Sequence, residues 1–123
     1  MKYFTIAELC RSNTADRLGI NNKCNQEHVS NLTALVDNVL DPLREAYGKP
    51  ITVNSGYRCP TLNKAVKGAA SSQHMTGQAA DIDTGDRQQN KLLFEYIRKN
   101  LPFDQLIDES NFAWVHVSYQ ADG

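Results

Sequence analysis

His74 and Asp81 stand seven residues apart on either side of Gly77, and His116 lies near the C-terminal end behind Trp114. These are two of the chain's three histidines. Two imidazole nitrogens and one carboxylate oxygen are a common protein set for catalytic zinc, which keeps its fourth position open for water. A structural site would want four protein ligands, usually including cysteine. The chemistry on offer is therefore that of a catalytic Zn2+ centre built from His74, Asp81 and His116. Taken one at a time, a histidine in a strand or loop is as well explained by a structural hydrogen bond, so ligand type and spacing alone leave the metal site open.

The spacing also dictates what must position these groups. On one uninterrupted strand an odd separation would point His74 and Asp81 to opposite faces. A turn has to intervene, and Gly77 has the conformational freedom for one. His74 then approaches from a loop and Asp81 from a strand over Ala79–Asp83, with Ala80 and Ile82 facing inward. On a last strand, Trp114, His116 and Ser118 share one face while Val115, Val117 and Tyr119 share the other. The second is the natural core side, which turns His116 toward an open site.

Around these strands the pattern is helical. Thr5 and Glu8 form a Thr-x-x-Glu signature for a short helix over 6–11. Residues 12–24 read as a polar loop. Val29, Leu32, Leu35, Val36, Val39, Leu40 and Leu43 recur at helical spacing, predicting a long amphipathic helix over 26–47 that Pro42 kinks or splits near Asp41 and Gly48 ends. Ile51–Asn54 is a short strand rich in β-branched residues, running into the loop Ser55-Gly56-Tyr57-Arg58-Cys59-Pro60. Residues 61–66 make a turn or two of helix before Gly68. Asp86 caps a helix over 87–100, with Leu92, Leu93, Tyr96 and Ile97 on its inner face. Gln105–Glu109 and Ala113–Tyr119 form a hairpin. Helices packed on one side of a small, mainly antiparallel sheet make an α+β fold.

Bulk properties exclude several function classes. The 123 residues fit one domain spanning the whole chain. A net charge of -1 gives no general attraction to nucleic acid or anionic membranes. No apolar run approaches the roughly 20 residues that span a bilayer. Glu8 interrupts the N-terminus before the apolar core of a secretory signal could form. Cys10, Cys24 and Cys59 are odd in number and widely spaced, and are expected to be reduced, partly buried thiols.

The run Ser72-x-His74-x-x-Gly77-x-Ala79-x-Asp81, followed by Trp114-x-His116, resembles the zinc peptidases of the D-Ala-D-Ala carboxypeptidase and murein endopeptidase group. Several bacteriophage endolysins belong to that group, and hedgehog signalling domains share its fold. Ser55-Gly56-Tyr57-Arg58-x-Pro60-x-x-Asn63 and Phe4-Thr5 with Glu8-Leu9 extend the likeness over nearly the whole chain. The resemblance implies that His74, Asp81 and His116 bind Zn2+ and that Arg58 holds substrate. Ser72 and Gln73 are then substrate-binding, or steady the ligand loop. The implied reaction is attack of a zinc-activated water on a scissile carbonyl in a peptidoglycan stem peptide. The implied setting is a monomeric enzyme made in the cytoplasm that reaches the cell wall by holin-type release or as a virion component.

One part of the family pattern is missing. Many members carry an acidic base three residues before the last zinc histidine, and here that position is Ala113. If residues 111–114 bridge the hairpin, Glu109 lies opposite His116 and is the base; a register slip of one would put Asp108 there instead. Glu109 is preferred for its reach, and Asp83 is left as a supporting or turn residue. The alternative reading is a zinc-containing binding module of the same fold that has lost turnover, for which the absence of an acid at 113 speaks.

Overall fold

In the computed structural model, which describes residues 1–121, the first helix, α1 (Ile6–Cys10), starts where Thr5 places it. The Thr5 hydroxyl accepts from the Glu8 amide at 3.1 Å. The stretch after α1 differs from expectation. Instead of a plain loop it contains a second helix, α2 (Asn13–Leu18), capped by the Ser12 hydroxyl on the Ala15 amide and ended by Gly19 at φ 70°. Six residues that bury only Ala15 are too few to show apolar periodicity, so the helix was visible only in its caps.

By folding back, this segment brings Cys10 and Cys24 together in a disulfide, with Cα atoms 6.6 Å apart. That corrects the expectation of three reduced thiols and leaves Cys59 as the free one. The physical cause is a clamp the spacing did not reveal. The Asn22 side chain donates to the Cys10 and Tyr57 carbonyls, each at 2.9 Å, and accepts from the Cys59 amide at 2.7 Å.

The long amphipathic stretch is one continuous path in three pieces: α3 (Gln26–Leu35), a π-helical turn (Val36–Leu40) and α4 (Asp41–Tyr47). Pro42 has no amide hydrogen to donate within the helix. The wide turn, closed by the Asp41 amide on the Val36 carbonyl, absorbs this without a break. Gly48 at φ 76° stops α4.

Four antiparallel strands follow: β1 (Thr52–Ser55), β2 (Ala79–Asp83), β3 (Leu106–Glu109) and β4 (Trp114–Ser118), in the order β1-β2-β4-β3. Between β1 and β2 lie α5 (Pro60–Ala65) and a 3-10 turn (Gln73–Thr76); α6 (Arg87–Asn100) joins β2 to β3. Val53, Ala80, Ile82, Val115 and Val117 cover the core face of the sheet. They pack with Leu32, Leu35, Val36, Val39, Leu40, Leu43, Leu93 and Ile97 in one buried cluster. The α+β fold, with an antiparallel sheet and helices, is as expected. On α6 the inner face is narrower than expected: Leu93 and Ile97 are buried, while Leu92 is 57% exposed and Tyr96 is also exposed. Alternation along β2 and β4 turns Asp81, Trp114 and His116 to the opposite face of the sheet.

Candidate metal centre and active-site pocket

Asp81 and His116 are directly paired across the two central strands, β2 and β4. His74 reaches the same point from the 3-10 turn, which folds back over β2 through Gly77 at φ 77°. A side chain at Gly77 would be strained, and its Cβ would come within 2.8 Å of the His28 carbonyl on α3. The chain therefore needs glycine there for both conformation and close approach. The result is three ligand atoms, from His74, Asp81 and His116, all within 4.8 Å of one another.

Hydrogen bonding fixes which nitrogen of His74 faces the cluster. Its Nδ1 donates to the Gly56 carbonyl at 2.7 Å, leaving Nε2 3.3 Å from Asp81 Oδ1. His116 Nδ1 lies 3.0 Å from the same oxygen, and its Nε2 is buried without a hydrogen-bond partner among the described residues. In a neutral His74 whose proton is on Nδ1, the Nε2 lone pair faces a carboxylate lone pair, an opposition that a bound cation or a second proton on the ring relieves. Bonds of 2.0–2.1 Å in a tetrahedral zinc site put neighbouring ligand atoms about 3.3 Å apart, close to the separations of Asp81 Oδ1 from the two histidine nitrogens. Burial by itself would raise the Asp81 carboxyl, but its contacts with the His116 and His74 imidazoles outweigh it and hold the group well below the usual carboxylate range. A half-buried carboxylate kept ionised beside two imidazoles suits a divalent cation. The donor set fits Zn2+.

The cluster opens into a cleft of about 510 Å³, within the usual size range of ligand sites. Arg58, Ser72, Gln73 and Glu109 all line it, so the expected site residues converge in space. Arg58 sits at the end of the loop leaving β1, its amide bonded to the His74 carbonyl at 2.9 Å. Burial lowers its guanidinium pKa and the nearby Asp81 charge opposes that; a guanidinium so placed stays a cation. Ser72 caps the 3-10 turn: its hydroxyl accepts from the His74 amide at 3.2 Å and lies 3.5 Å from Arg58 Nη2. It steadies the ligand loop. Gln73 donates to Asp104 Oδ2 at 2.8 Å, while its Oε1 is buried without a partner among the described residues.

The hairpin register differs from both expected alternatives. Glu109 pairs with Trp114 and Asp108 with Val115, so the residue directly opposite His116 is Ile107. The bridging loop is residues 110–113. Ser110, Asn111 and Phe112 are consecutively left-handed, at φ 48°, 58° and 65°, and the Ala113 amide closes the turn on the Glu109 carbonyl at 3.0 Å. No glycine marks this turn, which is why the register was not legible. Glu109 still shares a face with Trp114 and His116 and borders the cleft; Asp108 is exposed and does not. Asp83 belongs to a separate network, accepting from Asn90 and from the Gly85 amide.

Several supporting residues gave no chemical signal in the sequence. The Gly56 carbonyl orients His74, and Gly56 is required because a Cβ would sit 2.1 Å from the Leu9 carbonyl oxygen. Trp114, Gln105 and Ile107 line the cleft from the hairpin, and Lys67 from the loop after α5. Arg87 and Asn90, one turn apart on α6, grip the hairpin loop. Arg87 Nη1 donates to the Ser110 and Asn111 carbonyls, each at 2.7 Å, and Asn90 Nδ2 to those of Phe112 and Ala113 at 2.8 and 3.2 Å.

Comparison with known proteins agrees with this geometry. A zinc D-Ala-D-Ala carboxypeptidase of Streptomyces albus G is 42% identical over 76 residues, covering 54% of this chain and 30% of that protein. The chain thus spans less than a third of that relative's length. A family model described as peptidase M15 matches residues 2–118. With a match of that extent, the chain belongs to the peptidase M15 family.

Proposed function

We propose that the chain is a zinc metallopeptidase that hydrolyses peptide bonds in peptidoglycan stem peptides, as a D-Ala-D-Ala carboxypeptidase or a murein endopeptidase. The observation that carries this reading is the meeting of His74, Asp81 and His116 at the floor of a cleft that also presents Arg58. Family membership and the name of the S. albus relative point the same way.

His74 Nε2, Asp81 and His116 Nδ1 are the atoms placed to hold the metal. When bound, Zn2+ supplies a Lewis acid that polarises a scissile carbonyl and makes water reactive at neutral pH. The chain's own residues do the rest. Gly56 keeps the His74 ring in one tautomer and orientation. Arg58 offers a fixed fork of donors to a peptide carboxylate or to the oxyanion that develops on the carbonyl. Glu109, on the face of Trp114 and His116, accepts a proton from the attacking water and returns one to the leaving amine.

The endolysin setting, with holin-type release or carriage in a virion, is part of the same proposal. It rests on the resemblance to a group that includes several bacteriophage endolysins. The Cys10–Cys24 disulfide supports work outside a reducing cytosol.

A second reading, a zinc-holding module without turnover, is favoured by one feature: Ala113 stands where many relatives carry an acid. Mass spectrometry of muropeptides after digestion decides between the two. The zinc-loaded chain is expected to shorten stem peptides at one bond type, naming the bond as it does so. Intact muropeptides after incubation from pH 6 to 9, with zinc bound, select the binding module.

A further inference from the structure

The loop after α5 forms one wall of the cleft, and it begins with a lysine in a demanding conformation. The helix ends in a Schellman arrangement. The Lys67 amide donates to the Lys64 carbonyl at 3.1 Å and the Gly68 amide to the Asn63 carbonyl at 2.8 Å. That ending puts the first residue beyond the cap in the left-handed region, where glycine is the usual choice because a Cβ crowds the following carbonyl. Lys67 occupies the position, at φ 59°. Gly68 is held one residue later by a separate demand, since a Cβ there would lie 2.0 Å from Asn63 Oδ1.

A side chain kept in a costly backbone conformation at the edge of a site calls for a compensating role. A favourable charge at the helix C-terminus is a weak one, because Lys64 already supplies a cation in the last turn. Lys67 borders the same cleft as Arg58, Glu109 and the metal cluster. Among the described residues, neither Lys67 nor Arg58 is in an ion pair. With Asp81 taken up in the metal cluster and Glu109 in proton transfer, Arg58 and Lys67 leave two cations on one cleft, which matches a ligand with two separate anionic groups.

We propose that Lys67 is a specificity residue: it binds a second free carboxylate on the substrate, beyond the group Arg58 engages. The chain then prefers stem peptides whose acidic side carboxyl is free over those in which it is amidated. This rests on the peptidase reading above. A carboxamide keeps the shape of the group and removes its charge, so a matched pair of peptides isolates the electrostatic contribution.

The test compares two synthetic stem peptides that differ only in a free carboxylate or a carboxamide on the residue beside the scissile bond. KM, kcat and calorimetric Kd are measured with the zinc-loaded full chain. Wild type is expected to favour the free acid about tenfold in KM and Kd, with similar kcat and a preference that shrinks in salt. Lys67→Gly and Lys67→Met should bring the ratio within about twofold, and Lys67→Arg should keep it. Lys67→Gly relieves the left-handed strain, so its Tm should equal or exceed that of wild type, separating loss of preference from loss of fold. Equal handling of the two peptides by wild type, or a preference surviving in Lys67→Gly and Lys67→Met, overturns the assignment. If neither peptide is cleaved but the acid binds tighter through Lys67, the peptidase reading fails and the carboxylate site stands. Equal binding without cleavage removes both.

Discussion

The His74 ring is held by a single backbone carbonyl, that of Gly56, and Gly56 is pressed against α1. Gly56→Ala should cost on the order of 2–4 kcal/mol of stability by driving a Cβ into the Leu9 carbonyl. It should also weaken zinc affinity roughly 10- to 100-fold as His74 loses its orienting partner; urea melts and a zinc titration check the two effects. Arg58→Ala should keep zinc and fold while lowering kcat/KM by about 100-fold or more, because its guanidinium serves the cleft and, among the described residues, makes no ion pair. A mutant that unfolds instead would make Arg58 structural. Glu109→Gln should retain zinc yet lose roughly 10²–10⁴ in kcat, with Asp108→Asn near wild type. The reverse ranking would move the base to the other face of β3. The meeting of His74, Asp81 and His116 was foreshadowed by a histidine, a glycine and an aspartate around one turn and by a strand histidine opposite a valine-rich face; their reading as zinc ligands came from the family resemblance. The base was less so. Its placement depends on a loop of Ser110, Asn111 and Phe112 whose left-handed run has no glycine to announce it.

That loop is an element-scale device. Four consecutive carbonyls, from Ser110 to Ala113, are taken by Arg87 and Asn90 from one face of α6. Asn90 is buried and also binds Asp83 and Thr84, so it ties helix, hairpin and β2 together. Asn90→Ala would strand several of those groups, and should cost about 2–3 kcal/mol in a urea melt. A loss below about 0.5 kcal/mol would mean the loop holds its shape unaided. Among the elements, α6 and β2 were readable to the residue from cap and alternation. The split of the long helix was foreshadowed by Pro42, though as a kink and not as a π-helical turn. α2 escaped notice because helical periodicity needs more length than six residues give. The disulfide escaped because pairing depends on how Asn22 folds the intervening chain, which spacing alone does not encode.

At the scale of the molecule, one sheet divides the labour. Its valine- and isoleucine-bearing face closes the core with the helices, and its other face carries Asp81, His116, Trp114 and Glu109 to the cleft. The candidate ligands come from the 3-10 turn and both central strands, so zinc should tie these elements together and raise Tm when bound. Removing it with a chelator should lower Tm reversibly. The account's central claim is that His74, Asp81 and His116 make one zinc centre, and metal analysis of purified protein tests it most directly. Wild type should carry close to one equivalent of zinc per chain and the His74→Ala/His116→Ala double mutant almost none. Full zinc occupancy in that double mutant would contradict the account.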